Sequence, residues 1–401
     1  MAKGVEDTAF YIYNRLVCLN EVGGDPEQFG TAPKVFHARM KERRAKFPHA
    51  LSATSTHDTK RSEDVRSRIA VLSQIPDGWK THVTRWSSLN RRHAANVDGV
   101  RAPSRNEEYL LYQTLIGAWP SGHLSQEEHR TFVERIRSYM NKAIREAKVH
   151  SSWVNPNLDH EEAVNTFIDV ILDRSRDNPF LADFLPFQAQ VAAYATTTSL
   201  AQVLIKITAP GVPDFYQGTE LWDFSLVDPD NRKPVDYDLR LRLLHEIDQA
   251  CASHHNLAKF VHELVESRID GRIKMYVTMN ALRYRREHIE LFRAGEYVPL
   301  EAGGTKHEHL CAFARIYEDH AVAIVVPRLV SGLTATGAIS PTGVDVWSDT
   351  VINVPSWREG STYRNILTGD TVHSHDAAGR QALPVAVVLK ECPVALLERV
   401  S

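Results

Sequence analysis

Cysteine is scarce in these 401 residues and poorly placed for pairing. The four present, Cys18, Cys251, Cys311 and Cys392, form no C-x-x-C pair. That spacing argues against a disulfide framework and against a thiolate zinc site, and it fits a reducing, cytoplasmic setting. No apolar run approaches the roughly 18 residues of a membrane-spanning helix. Residues 1–7 lack the apolar stretch and small-residue cleavage site of a secretory leader. A surplus of positive charge is also missing: 47 Lys and Arg against 50 Asp and Glu leave a net charge of −3, which does not describe a chain built for nucleic acid. There is no internal repeat and no low-complexity tract. What remains is an ordinary globular composition, 43% hydrophobic and 24% charged, long enough for two or three domains of roughly 100–200 residues each.

Changes of hydrophobic period divide the chain. A basic, helix-compatible segment over 34–46 precedes a short β-tolerant run, 50–56, which leads directly into the polar cluster His57-Asp58-Thr59-Lys60-Arg61. A helix is expected from Ser62, with Glu63 and Asp64 in its first turn and Val65, Ile69 and Leu72 as its apolar stripe. Helical spacing continues through 79–97, 106–118, 125–147, 160–174 and 186–202, with Pro103, Pro120, Pro156 and Pro179 between segments. Residues 203–208 read as a buried strand ending in the turn-rich Pro210-Gly211-Val212-Pro213, and 238–251 as a helix. A further strand is expected over 273–278. Beyond 297, β-branched runs at 321–326, 351–354 and 385–389 read as a small all-β domain. Two strand-loop-helix units with polar residues just after the strand point to part of a (β/α)8 barrel, whose chemistry sits at the C-terminal ends of its strands. The expected fold class is α/β: the C-terminal portion of such a barrel with a large helical insertion, followed by a small all-β domain. The expected divisions are 1–78 for late barrel units, 79–200 for the insertion, 201–296 for the last barrel strand, active-site loop and closing helix, and 297–401 for the β domain.

His57-Asp58 is the sharpest local feature, because a carboxylate beside an imidazole at a strand end can stabilise developing positive charge and bind sugar hydroxyls. The plainer alternative has Asp58 capping the next helix and His57 as a satisfied loop residue. Lys60 and Arg61 add donors for hydroxyls or phosphates, or form a solvated surface pair. A second loop, Asp214-Phe215-Tyr216-Gln217-Gly218-Thr219-Glu220-Leu221-Trp222, is followed by Asp228-Pro229-Asp230-Asn231-Arg232. Aromatics beside amides and carboxylates suit a carbohydrate site; the alternative is a connection whose aromatics complete the core. Asp228, Asp230 and Asn231 lack the glycine and distal Glu of an EF-hand, so calcium is not expected there. The basic stretch 80–105 reads as a solvated helix face, and His254-His255, His307-x-His309 and His373-x-His375 as surface histidines. No metal site is expected. Arg268-Ile269-Asp270-Gly271 reads as a turn despite a superficial likeness to a glycosidase nucleophile segment.

Several of these strings resemble those of the maltooligosyl trehalose synthases, a branch of the alpha-amylase superfamily. They include Met1 to Tyr11, Leu19 to Pro26, Ala53 to Arg66, Pro210 to Gly218 and Leu221 to Tyr237, with weaker similarity into the β tail at Ala312 to Arg315. The resemblance covers most of the chain. It implies intramolecular transglucosylation, in which the α-1,4 link to the reducing-end glucose of a maltooligosaccharide becomes an α,α-1,1 link. It implies Asp58 as the carboxylate that stabilises the transition state, with His57, Lys60, Arg61, Lys3, Tyr216 and Arg232 binding substrate. It implies no cofactor, a glucan substrate, and no nucleic-acid or membrane partner. In that family the nucleophile and acid/base lie upstream of where this chain begins, and Met1 matches an internal methionine position. The resemblance therefore implies a chain inactive alone, needing the N-terminal half of the same enzyme, with an open parallel edge prone to association. A maltooligosaccharide hydrolase and a non-catalytic glucan-binding subunit are the alternative readings.

Overall fold

The computed structural model describes residues 2–253, 256–333, 340–355, 360–377 and 379–400; the side chains of Ala2 and Lys3 lie outside the described set. Helix α1 (Ala2–Ile12) opens the chain. Helix α2 (Pro33–Lys46) starts on proline, where a missing N–H costs nothing, and ends in Arg43, Arg44 and Lys46, where the helix dipole favours cations. Strand β1 (Leu51–Ala53) and helix α3 (Glu63–Val71) follow. Ser62 occupies the N-cap position of α3, but its Oγ bonds the Asp223 carbonyl instead of capping. Next come α4 (Pro76–Asn90), the hairpin of β2 (Ala95–Val97) and β3 (Val100–Ala102), α5 (Arg105–Ala118) and α6 (Gln126–Ala147). Both α5 and α6 begin with a reciprocal capping box, Ser104 with Glu107 and Ser125 with Glu128. Helix α7 (Leu158–Ile171) precedes α8 (Pro179–Thr208), which continues through Pro186.

Beyond strand β4 (Val212–Asp214) lie α9 (Tyr237–Ser253), α10 (Leu257–Glu266), α11 (Arg272–Glu287) and α12 (Ile289–Arg293). The tail holds β5 (Glu296–Leu300), β6 (Ala302–Gly303), β7 (Leu310–Tyr317), β8 (His320–Pro327), α13 (Val344–Trp347) and β9 (Val351–Asn353). It closes with β10 (Thr362–Asn365), β11 (Thr371–His373), β12 (His375–Ala377), β13 (Arg380–Pro384), α14 (Val385–Val388) and β14 (Ala395–Arg399).

Three expected strands are helices. Residues 203–208 are the last turns of α8, 273–278 lie in α11, and 385–388 form α14. The first two runs are buried almost throughout and the third at Val385 and Val388, and a short apolar run without alternation fits a helix as well as a buried strand. The strand assigned to 203–208 is β4, beyond the Pro-Gly turn. Gly211 permits that turn: its φ is +121°, and a Cβ there would lie 2.6 Å from Ser52 Oγ and 2.8 Å from the Ala50 carbonyl.

The chain forms two compact units. The first contains 1–29, 57–195 and 223–233, the second 30–56, 196–222 and 234–401. In the first unit the predicted stripe Val65, Ile69 and Leu72 is fully buried. An aromatic group from α4, α5 and α8 surrounds Trp86, with Tyr112, Phe180, Phe184 and Phe187 all within 6 Å between ring centroids. In the second unit β1 and β4 pair in parallel, Leu51 against Val212 and Ala53 against Asp214. The tail is β-rich: a six-stranded sheet ordered β11-β10-β14-β8-β7-β5 and a four-stranded sheet ordered β12-β13-β9-β6, both antiparallel throughout. Strand β8 shows why its sequence is apolar without alternation. Val322, Ile324 and Val326 join one buried cluster, with residues of α8 to α11, and Ala323 and Val325 join another with Trp347, Ile352 and Leu383. Both faces of the strand are covered.

Candidate active site

The first unit contains a pocket of about 210 Å³ lined by Asp7, Tyr11, His57, Asp58, Lys60, Lys142, Glu146, Val227, Asp228 and Arg232. Helical spacing explains four of these ten residues. Asp7 and Tyr11 are four residues apart on α1, and Lys142 and Glu146 four apart on α6, so each pair shares a face. The other residues come from the loop after β1 and the loop before α9.

Glu21 shapes the first loop. Its carboxylate accepts the backbone N–H of Lys60 at 2.8 and 3.0 Å and that of Arg61 at 3.3 Å. The Lys60 side chain is 7% exposed, and its Nζ lies 2.5 Å from Asp7 Oδ1. His57 and Asp58 remain open, with side chains 51% and 62% exposed and His57 Nδ1 at 3.5 Å from Asp58 Oδ1. Asp58 is not the cap of α3, because Ser62 holds that position. The second loop is fixed to the first: Asn231 Nδ2 donates to the His57 carbonyl at 2.8 Å. Lys142 Nζ donates to the Asp228 carbonyl at 2.6 Å, and Arg232 Nε lies 2.5 Å from Asp228 Oδ1. Asp230 accepts from Arg135 at 2.7 and 2.9 Å, from the Leu226 N–H at 2.9 Å, and pairs with Lys233 at 2.6 Å. Burial pushes the Asp230 carboxyl up, but Arg135 and these other donors outweigh it and hold it below its ordinary value. Protein cations thus take the charge that a calcium loop would offer a metal.

The structure brings His57, Asp58, Lys60 and Arg232 to one pocket. Arg61 is corrected: it is 1% exposed, and its guanidinium donates to the Val17 carbonyl and to Tyr139 Oη, so it supports the loop from below and offers no surface to a sugar. Tyr216 lies half-buried in the second unit, its carbonyl accepting from Thr219. Its neighbours Phe215 and Trp222 pack on that unit's core, under Lys206 and beside Lys274. The Lys3 side chain and the pair His254-His255 lie outside the described residues. Sequence reasoning missed Asp7, Tyr11, Glu21, Lys142 and Glu146. The two i, i+4 pairs were the available signal. Tyr11 is 3% exposed, and its hydroxyl has no hydrogen-bond partner among the described residues, though it lines the pocket. Burial above all drives its pKa well above the ordinary tyrosine value, so it stays a donor.

The fold is α/β, and the pocket is lined largely by polar and charged side chains from α1, α6 and the loops after β1 and before α9. The chain is homologous over nearly its whole length to the maltooligosyl trehalose synthases. It is 37% identical over 398 residues to a Mycobacterium tuberculosis protein named, provisionally, maltooligosyl trehalose synthase; the match covers 99% of this chain and 44% of that one. The solved maltooligosyltrehalose synthase of Arthrobacter ramosus superposes with a TM-score of 0.79 at 35% identity, covering all of this chain and 45% of the other. Another crystal structure of a maltooligosyl trehalose synthase gives 0.75 at 33% identity, covering 98% and 46%. No protein-family profile matches the chain. The chain therefore spans under half the length of the relatives it matches.

Proposed function

We propose that this chain carries the transition-state-stabilising and glucose-binding portion of a maltooligosyl trehalose synthase site. The observation that carries the reading is the pocket: an open Asp58 beside His57, an anchored Lys60, and an unpaired Tyr11 hydroxyl, all on one surface. Its volume of about 210 Å³ is below the roughly 300–1,000 Å³ of a complete small-molecule site, as fits a contribution to a larger one.

In this reading Asp58 holds hydroxyls of the reacting glucose and favours its oxocarbenium-like state. His57 donates to the same sugar. Lys60, braced by Asp7, contacts the glucose that turns around to become the acceptor, and Arg232, oriented by Asp228, binds a neighbouring unit. Retaining chemistry also needs a nucleophile and an acid/base about 5–5.5 Å apart. The resemblance puts these in a segment outside the 401 residues, so turnover requires that segment. The retained glucose must intercept the glucosyl intermediate before water does, which demands a closed, dry site. The strand-loop-helix units of β1 and β4 are then the last of a (β/α)8 barrel, with α4 to α8 inserted between them, in an enzyme of the cytoplasm.

The test on the chain itself is maltooligosaccharide binding by calorimetry. Tyr11→Phe removes one hydrogen bond and is expected to weaken binding about three- to tenfold without altering the fold. Unchanged affinity in Tyr11→Phe and in Lys60→Ala contradicts the assignment of this pocket.

A further inference from the structure

Three side chains distant in sequence converge elsewhere in the second unit. His288 sits between α11 and α12, His320 is the first residue of β8, and Glu398 lies on β14 opposite Val322. His320 Nε2 is 3.2 Å from Glu398 Oε1, and His288 Nε2 is 3.7 Å from the same oxygen. One ligand atom from each of the three falls within 4.8 Å of the other two. Around a tetrahedral zinc ion with bonds of about 2.0–2.1 Å, neighbouring donor atoms stand roughly 3.3 Å apart. Both nitrogen–oxygen spacings are already close to that figure. The imidazoles are 28% and 34% exposed, which leaves them room to rotate and close the remaining gap.

The surroundings orient the set as metal sites usually do. Glu398 is 11% exposed; its Oε2 accepts from Arg364 at 2.7 Å, which leaves Oε1 facing the histidines, and Tyr284 Oη approaches Oε1 at 3.3 Å. The Tyr284 ring lies beside that of His288, tilted by 45° with centroids 4.3 Å apart. Burial first, and then His320, lowers the pKa of His288. Burial would raise that of Glu398, but Arg364 and His320 hold it low. The charge on Arg364 opposes a cation, but its side chain is 55% exposed and water screens it.

We propose that His288, His320 and Glu398 form a zinc site that ties the α11–α12 junction to β8 and β14, with a fourth position open to water. Two imidazoles and one carboxylate suit a borderline ion such as zinc; calcium and magnesium require an all-oxygen shell. The site is separate from the glucan pocket and does not depend on the function proposed for it.

The full chain, stripped with a chelator, is titrated with zinc by calorimetry and with cobalt by visible absorption. The expected result is one tight site per chain, with the absorption of tetrahedral cobalt and a rise in Tm on zinc addition. His288→Ala, His320→Ala and Glu398→Gln should each weaken binding at least tenfold, and His309→Ala, on a different surface histidine, should not. Arg364→Gln, which removes the opposing charge, should tighten binding. Circular dichroism checks that each variant is folded. Absence of saturable binding in the unaltered chain overturns the proposal and leaves a proton-bridged pair. Binding that survives in folded His320→Ala overturns it as well, assigning the metal to other histidines.

Discussion

At the scale of single residues, the pocket separates side chains that act from those that hold. Asp58 and His57 are exposed, whereas Glu21 is 9% exposed and spends its carboxylate on three backbone N–H groups, those of Val22, Lys60 and Arg61. Glu21→Gln weakens charge-assisted bonds and leaves a buried turn poorly satisfied, so it should cost about 1–3 kcal/mol in urea denaturation. Asp58→Asn, on an exposed loop, should leave the denaturation midpoint where it is; a marked drop would make Asp58 a structural residue. Asp230 gives a pH signature. Its folded pKa lies below the unfolded value of 3.8, so its contribution is fully present above the unfolded pKa and is lost as pH falls through the folded one. Asp230→Asn should therefore be less stable than the parent at pH 7, and the difference should shrink steadily below pH 4. The sequence exposed His57, Asp58, Lys60 and Arg232 because they sit in dense polar strings. It hid Asp7 and Tyr11 because a helix shows such pairs only once its outward face is known. It misplaced Arg61, because adjacent basic residues look alike in sequence, and although both are buried only Lys60 lines the pocket.

At the scale of elements, helices were legible where an exposed face or an N-terminal signal marked them and illegible where neither did. The amphipathic α6 and α7, and the largely buried α3 and α5, fall where period and helix-end residues put them, within a few residues at each end. The ends of α8 and the first turns of α11 failed because full burial erases periodicity, and the same burial makes β8 look like them. The contact of α3 with α5 shows how closely such elements fit. A Cβ on Gly117 would stand 2.7 Å from Val65 Cγ1 and 3.0 Å from Ile69 Cδ1, both side chains fully buried and β-branched. Gly117→Ala should therefore destabilise the chain by about 1–3 kcal/mol through overpacking, despite alanine's better helix propensity. Stabilisation by this variant would show that α3 and α5 separate easily.

At the scale of the whole molecule, the chain spans under half the length of the relatives it matches, and its parallel sheet has two strands among the described residues. Strands β1 and β4 pair only with each other among the described residues, and Leu51 and Val212 are 70% and 40% exposed. Unpaired edges of this kind recruit further strands. The isolated chain should associate with rising concentration in sedimentation experiments, and Leu51→Lys with Val212→Lys should reduce that association; a monodisperse parent at high concentration would argue otherwise. The most direct test of the central claim is reconstitution. The 401-residue chain is combined with the N-terminal portion of a relative, and maltooligosaccharide is followed for loss of reducing ends and gain of trehalose-ended product. The account predicts product only from the pair, and a fall of at least about a hundredfold with Asp58→Asn. Turnover by the chain alone, or undiminished turnover by the Asp58→Asn pair, would contradict it.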